Sequence, residues 1–127
     1  MCEDVSAYEN IALVLERKKT HAQRDAQKCR IEQEAAQVGI TADDLKQNVM
    51  KLSGGMRRRI ALLRALLYDA DCVILDEPFK GLDATTKQIV MQYVKEKVAG
   101  RTTFLVSRRN LIGGNIWKLP QENKNDE

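Results

Sequence analysis

Histidine, cysteine and long apolar runs are scarce in this sequence of 127 residues, and each scarcity excludes a class of protein. The single histidine, His21, excludes a metal site built from several histidines. The cysteines, Cys2, Cys29 and Cys72, are widely spaced and form no CxxC pair, which excludes a disulfide framework and a zinc knuckle and fits a reducing cytoplasm. No stretch approaches the roughly 20 apolar residues of a membrane span, and the acidic residues 1–4 predict no signal peptide.

The chain also has little net charge. Its 21 Lys and Arg against 18 Asp and Glu give a formal charge of +3, too small to indicate nucleic-acid or membrane binding by itself. Hydrophobic residues (43%) and charged residues (31%) occur in proportions typical of a folded soluble protein. One cluster of basic residues has no interleaved aromatics, so we expect a solvated face or contacts within the protein, and no nucleic acid; its members are Arg57, Arg58, Arg59 and Arg64.

The polar first part of the chain is predicted to be helical. A helix is expected over residues 8–17, and Thr20 is predicted to cap a second helix that Gly39 ends. Thr41 and Asp44 have the spacing of a capping box at a short turn. The apolar stripe of the second helix is thin and is predicted to comprise Ala22, Ala26, Cys29 and Ala36.

The second part holds the strong apolar runs and predicts a strand, a helix and a second strand. A helix over 56–68 comes first, and the run 72–75 is then typical of a strand buried on both faces. Asp83 is predicted to cap a helix over 84–98, and 102–106 is a second strand, which completes a βαβ unit. We expect packed core thiols at Cys29 and Cys72, and inward side chains at Ile89, Val90, Tyr93, Val94 and Val98.

A first candidate site is the turn Leu52-Ser53-Gly54-Gly55-Met56. Its glycines allow close backbone approach, and Ser53 would cap a helix whose free N–H groups and positive dipole end suit a phosphate. Taken alone, the turn is equally consistent with a plain helix start.

A second candidate site is the pair Asp76 and Glu77 at the carboxyl end of the first strand, where α/β sheets place ligands. Adjacent strand residues point to opposite sides, so the two acids would take different roles: one would hold Mg²⁺ and the other would orient or deprotonate a water. The alternative is an acidic strand end that faces solvent. Gly81-Leu82-Asp83 follows, and by itself indicates only a loop and a helix cap.

The three motifs together, in this order and spacing, resemble the ATP-binding cassette (ABC) ATPases over about residues 5–119. LSGGM is similar to the family's signature, with Met56 where Gln is usual; CVILDEP resembles Walker B and GLD the D-loop. The implied fold is α/β: a P-loop NTPase-like ABC cassette that lacks its N-terminal half, mostly helical with a short parallel sheet. Residues 5–50 would be the helical subdomain, 51–119 the signature helix and Walker B/D-loop unit with a last strand at 116–119, and 120–127 a polar tail.

The resemblance also implies roles, cofactors and partners. Two cassettes pair head to tail around ATP. Ser53, Gly54 and Gly55 would contact ATP held by a second ABC ATPase subunit, and Asp83 would lie at the dimer interface. Asp76 would support Mg²⁺ and Glu77 would be the catalytic base. The helical subdomain would dock on a membrane permease, which places the assembled subunit on the cytoplasmic face of the membrane.

Several family features are missing from these residues. No GxxxxGK[ST] sequence occurs, so the cradle and lysine that hold the phosphates are absent. The Q-loop glutamine is absent too, and Arg108 stands where the family has its switch histidine. We therefore expect a truncated subunit of a bacterial importer that is inactive as an ATPase alone, with exposed apolar strand edges that promote self-association. Two alternatives remain: a non-catalytic or regulatory partner that completes an ATP site in trans, and a chromosome-maintenance or repair ATPase lobe.

Overall fold

Five α-helices and two β-strands make up the part of the chain that the computed structural model describes, residues 1–15 and 20–108. The helices are α1 (Ala7–Leu15), α2 (His21–Gln37), α3 (Ala42–Lys46), α4 (Gly54–Leu67) and α5 (Ala84–Val98). The strands are β1 (Cys72–Asp76) and β2 (Thr102–Val106), and a short 3₁₀ helix covers Val49–Lys51. The strand predicted at 116–119 and the tail 120–127 lie outside the described residues.

Helix starts agree with the capping residues predicted from the sequence. Thr20 caps α2, and Thr41 caps α3 through a box in which its Oγ1 accepts from the Asp44 N–H at 3.1 Å. Asp44 returns the bond, since its Oδ2 accepts from the Thr41 N–H at 2.9 Å. Gly39 takes φ +73 after α2, a left-handed conformation that favours glycine. These boundaries follow from local backbone chemistry, which explains why the sequence predicts them.

The predicted βαβ unit is confirmed. β1 and β2 form a two-stranded parallel sheet whose register runs from Cys72 opposite Thr102 to Asp76 opposite Val106, and α5 connects the strands. Parallel pairing brings the carboxyl ends of both strands to one edge. Asp76 and Ser107, the residue that follows Val106, therefore lie at the same edge of the sheet.

The prediction that the first strand is buried on both faces is wrong. Val73 and Leu75 are buried, but Ile74 is 70% exposed and its register partner Phe104 is 56% exposed. Successive side chains of a strand point to opposite faces, and the described helices cover only the face that carries Val73 and Leu75. The exposed apolar side chains lie on the open face of the sheet. The expectation of apolar strand edges that promote self-association stays a prediction.

The predicted inward faces of two helices also need correction. On α2 the alanine stripe and Cys29 are exposed, and the buried positions are Gln27, Ile31 and Ala35, because the one large apolar side chain of the helix turns to the core. On α5 Ile89 is 46% exposed, whereas Val90, Tyr93 and Val94 are buried. Cys72 is exposed as well, so neither thiol is a core residue.

One apolar core runs through both parts of the described chain. α1 packs on α4, and α5 and β1 add side chains to the same cluster, whose fully buried members include Ile11, Ile31, Ile60, Leu63, Val90 and Val94. The buried face of α4 includes Leu62, whereas its neighbour Ala61 is exposed. Since α4 begins at Gly54, this core fixes the direction in which the glycine turn points.

Candidate functional site

The glycine turn is built as a capped helix start. Leu52 is buried and anchors the turn, while Ser53 is exposed, takes an extended conformation and caps α4. Its Oγ accepts from the Met56 N–H at 3.2 Å. Apart from the adjoining residues and the backbone of α4, no atom of residues 1–15 and 20–108 lies within 4 Å of the position that a Cβ on Gly54 would take, so the space beside this residue is open to that extent. The first N–H groups of α4 therefore face an accessible region with the positive end of the helix dipole behind them.

The two acids at the end of β1 are arranged differently from the sequence-based expectation. Asp76 is the last strand residue and is exposed. Glu77 lies beyond the strand and takes φ +43, a left-handed conformation that is unfavourable for glutamate. Its N–H donates to the Val106 carbonyl at 2.8 Å and its carbonyl accepts from the Lys80 N–H at 3.2 Å. Because Glu77 lies outside the strand, the alternation of strand side chains does not apply to this pair.

The Gly81-Leu82-Asp83 loop lies against the glycine turn. Gly81 has φ +79, and a Cβ on Gly55 would lie 3.6 Å from Leu82 Cδ2, so the two loops are close neighbours. Asp83 caps α5, because its Oδ2 accepts from the Thr86 N–H at 3.1 Å. The hydrogen bonds from Thr86 hold the pKa of Asp83 below its usual value. The predicted cap is confirmed, and the carboxylate is exposed.

Two arginines of α4 join these loops to the rest of the molecule. Arg58 Nη1 donates to the Glu77 carbonyl at 3.2 Å. Arg59 Nη1 donates to the Val38 carbonyl at 2.8 Å, where α2 ends. For these two residues the expected contacts within the protein are confirmed. The sequence predicts the arginine cluster but not the carbonyls that Arg58 and Arg59 bond, because no sequence signal tells which arginine contacts which carbonyl.

Two of the candidate loops are neighbours, and α4 links the third to them. Gly55 lies near Leu82 of the Gly81–Asp83 loop, and Arg58, further along α4, bonds the Glu77 carbonyl. Arg108 is exposed and follows the end of β2, at the sheet edge that also carries Asp76. No cluster of three or more His, Cys, Asp or Glu side chains suited to a metal occurs within residues 1–15 and 20–108.

Glu34 joins α2 to α5 through a half-buried polar cluster. Tyr93 Oη donates to Glu34 Oε2 at 2.7 Å and Lys97 Nζ donates to Oε1 at 2.6 Å. Lys97 Nζ also lies 5.3 Å from the centre of the Tyr93 ring. Burial acts to raise the pKa of Glu34, but the bonds from Lys97 and Tyr93 outweigh it, so the pKa lies below its usual value. Burial, together with Glu34, raises the pKa of Tyr93.

Lys97→Met is expected to lower the free energy of unfolding at pH 7 by about 1.5 kcal/mol, the scale of a hydrogen bond to a charged group. Because the pKa of Glu34 is lowered on folding, its stabilisation is present above the unfolded value of about 4.3 and disappears as pH falls through the folded value. Urea denaturation should therefore show that Lys97→Met loses less free energy of unfolding, relative to wild type, at pH 3 than at pH 7. Lys95→Met, an exposed lysine of α5, is the matched control and should change little at either pH. An equal loss at both pH values would contradict this prediction.

No helix among the described residues is long and apolar enough to span a membrane.

Comparison with known proteins gives one consistent result. A family model described as "ABC transporter" matches residues 2–80. The zinc transport system ATP-binding protein TroB of Treponema pallidum is 38% identical over 85 residues, which are 67% of this chain and 32% of TroB. The nitrate import ATP-binding protein NrtD of Synechococcus elongatus is 40% identical over 83 residues, which are 65% of this chain and 30% of NrtD. The chain therefore spans about a third of the length of these relatives.

A solved structure shows the same fold. The dimeric ATP-binding cassette MJ0796, in a post-hydrolysis state bound to ADP and Pi, superposes with a TM-score of 0.71 at 22% identity. The match covers 86% of this chain and 48% of that one. The predicted α/β cassette fold, mostly helical with a short parallel sheet, is confirmed by this likeness and by the βαβ unit.

Proposed function

This chain belongs to the ABC transporter family, and we propose that it supplies the signature, Walker B and D-loop portion of a transporter's ATP-binding subunit. The observation that carries the proposal is the proximity of the three motifs. Leu82 of the GLD loop lies beside Gly55, and Arg58 of the same helix, α4, bonds the Glu77 carbonyl, so α4 adjoins both the GLD loop and the turn after β1.

In the proposed assembly, Ser53, Gly54 and Gly55 contact the γ-phosphate of ATP held by a second cassette. The exposed Ser53 hydroxyl, the open space beside Gly54 and the free N–H groups of α4 suit a phosphate oxygen. Asp83, exposed at the start of α5, lies at the interface with the second cassette. Binding here relies on backbone donors and a helix dipole, so the small net charge of the chain does not argue against it.

Asp76 and Glu77 would act on ATP held by their own cassette. An exposed carboxylate at a strand end fits Mg²⁺, which proteins bind through one or two carboxylates together with substrate phosphates. When bound, the ion would neutralise charge on the phosphates. Glu77 would orient the attacking water and accept its proton. Backbone bonds at both its N–H and its carbonyl hold this residue for that task.

The 127 residues by themselves are proposed to be inactive as an ATPase. They contain no GxxxxGK[ST] sequence, and phosphoryl transfer depends almost entirely on positioning and charge stabilisation of the phosphates. Arg108, in place of the switch histidine, removes a further family group. The same features favour the second candidate, a non-catalytic partner that completes an ATP site in trans, whereas the retained Asp76 and Glu77 favour a catalytic cassette.

The proposed transporter is of the bacterial importer type. Two of the relatives support this type: TroB, matched over 85 residues, is a zinc transport protein, and NrtD, matched over 83 residues, is a nitrate import protein. Residues 5–50 would form the helical subdomain that docks on the permease, on the cytoplasmic side of the membrane, and 51–119 the signature helix and Walker B/D-loop unit. Similarity to transport proteins favours this assignment over a chromosome-maintenance or repair lobe.

A chimera tests the proposal. The TroB segment that precedes the matched region, chosen to include a GxxxxGK[ST] sequence, is joined to this chain, and phosphate release is measured with Mg²⁺ and ATP. We expect no release above background from the chain alone and turnover on the scale of 1 s⁻¹ or faster from the chimera. A folded, ATP-binding chimera without turnover would contradict a catalytic cassette, and release by the chain alone would contradict its inactivity.

A further inference from the structure

Arg58 makes a contact that the motifs do not explain. It lies in the second turn of α4, five residues after Ser53, and its Nη1 donates to the Glu77 carbonyl at 3.2 Å in a partly buried position. Its neighbours point elsewhere: Arg57 Nη1 lies 3.8 Å from Met50 Sδ, and Arg59 bonds the end of α2. Of these three consecutive arginines, Arg58 is the one that reaches the turn after β1.

The residue that Arg58 holds has an unfavourable backbone conformation. Glu77 takes φ +43, and non-glycine residues persist in this region only where their surroundings over-determine it. Here the Glu77 N–H is fixed by the Val106 carbonyl, while its carbonyl is fixed by the Lys80 N–H and by Arg58. The first two bonds are made by backbone groups that any sequence supplies. Arg58 provides the side-chain bond, and its charge strengthens it.

We propose that Arg58 is a positioning residue for Glu77: its guanidinium holds the Glu77 carbonyl and so keeps the acid in its left-handed turn. Its significance for catalysis rests on the proposed function, in which Glu77 is the base. The contact also links that base to the helix that begins at the glycine turn. Arg58 touches no nucleotide in this assignment and acts only through the backbone of Glu77.

The first test measures amide hydrogen exchange by NMR in the unmodified chain and its variants. Arg58→Gln should accelerate exchange of the Lys80 and Glu77 amides by roughly tenfold, the effect of losing one charge-assisted bond. Arg58→Lys keeps a charged donor without the planar fork and should give a smaller acceleration. Arg57→Gln is the matched control and should leave both amides within about twofold of wild type. Unchanged exchange in Arg58→Gln would overturn the proposal.

A second variant separates positioning from a mere packing contact. Asparagine tolerates the left-handed conformation far better than glutamate, so Glu77→Asn reduces the need for an external donor. In the double variant Arg58→Gln/Glu77→Asn, exchange at Lys80 should return to within about twofold of Glu77→Asn alone. If the full acceleration persists when Arg58→Gln is added to Glu77→Asn, Arg58 does not act by holding residue 77 in this conformation, and the proposal is overturned.

A functional arm uses the TroB chimera. Arg58→Gln should lower kcat about tenfold while KM for ATP stays within about twofold, because a misplaced base affects the chemical step and not nucleotide binding. Arg57→Gln should change neither value. An active chimera whose kcat is unaffected by Arg58→Gln would overturn the positioning role. If instead the chimera with Arg58 intact is inactive, the proposed function fails, and the exchange and rescue results alone decide whether Arg58 positions the turn.

Discussion

Glu77→Gln in the TroB chimera is expected to lower ATP turnover by about 10²- to 10⁴-fold, the usual contribution of a general base. Glutamine has nearly the shape of glutamate but cannot accept the proton of the attacking water. The backbone bonds of residue 77 to Val106, Lys80 and Arg58 do not involve its carboxylate, so the turn should persist. Phosphate release gives the rate, and nucleotide binding measured on the same sample should be nearly unchanged.

The control for this variant is Glu32→Gln, the same chemical change on α2 away from the site, which should leave turnover within about twofold. A Glu77→Gln chimera that retains more than about a tenth of the turnover would contradict the assignment of Glu77 as the base.

Leu63→Ala is expected to produce the largest loss of stability. Leu63 is fully buried on α4, at the centre of the core that α1 and α5 share. Truncating a buried leucine removes its transfer free energy and leaves a cavity, which together cost about 2–5 kcal/mol. Domains of this size have only about 5–15 kcal/mol of stability, so the variant should unfold at much lower urea concentration.

Leu13→Ala is the matched control, since it makes the same substitution at a leucine of α1 that is 46% exposed. Its free energy of unfolding should fall by about 0.5 kcal/mol or less. Equal losses from the two variants, measured by urea denaturation, would contradict the core described for α4.

The features that the sequence predicts best are those set by neighbouring residues. Asp83 caps α5, and the helix runs from Ala84 to Val98 as expected, because the cap, the apolar run and the following Gly100 all lie within one local segment. The Thr41 capping box follows from its spacing to Asp44 in the same way. Local backbone hydrogen bonds decide these boundaries, and packing elsewhere does not move them.

The features that the sequence missed depend on distant partners. Ile31, which packs in the core, determines which face of α2 is buried. The small alanine side chains on which the sequence-based prediction rested did not indicate that face. Ile74 and Phe104 are exposed because the described helices cover one face of the sheet, which the apolar run itself does not reveal. Glu77 takes a left-handed conformation and its carbonyl accepts a hydrogen bond from Arg58. The two residues are 19 apart in sequence, so only the folded chain brings them together.

Mixing two inactive chimeras reveals whether Ser53, Gly54 and Gly55 act on ATP held by a second cassette. One carries Ser53→Arg, and the other replaces the lysine of its GxxxxGK[ST] sequence. In a mixed dimer, one composite site combines the intact lysine of the first chain with the intact Ser53 of the second. If the three residues do act on the second cassette's ATP, mixing restores up to about a quarter of the turnover of the unsubstituted chimera, because half of the randomly formed dimers are mixed and each has one complete site of two. A mixture that forms dimers yet stays as inactive as either parent would contradict that action.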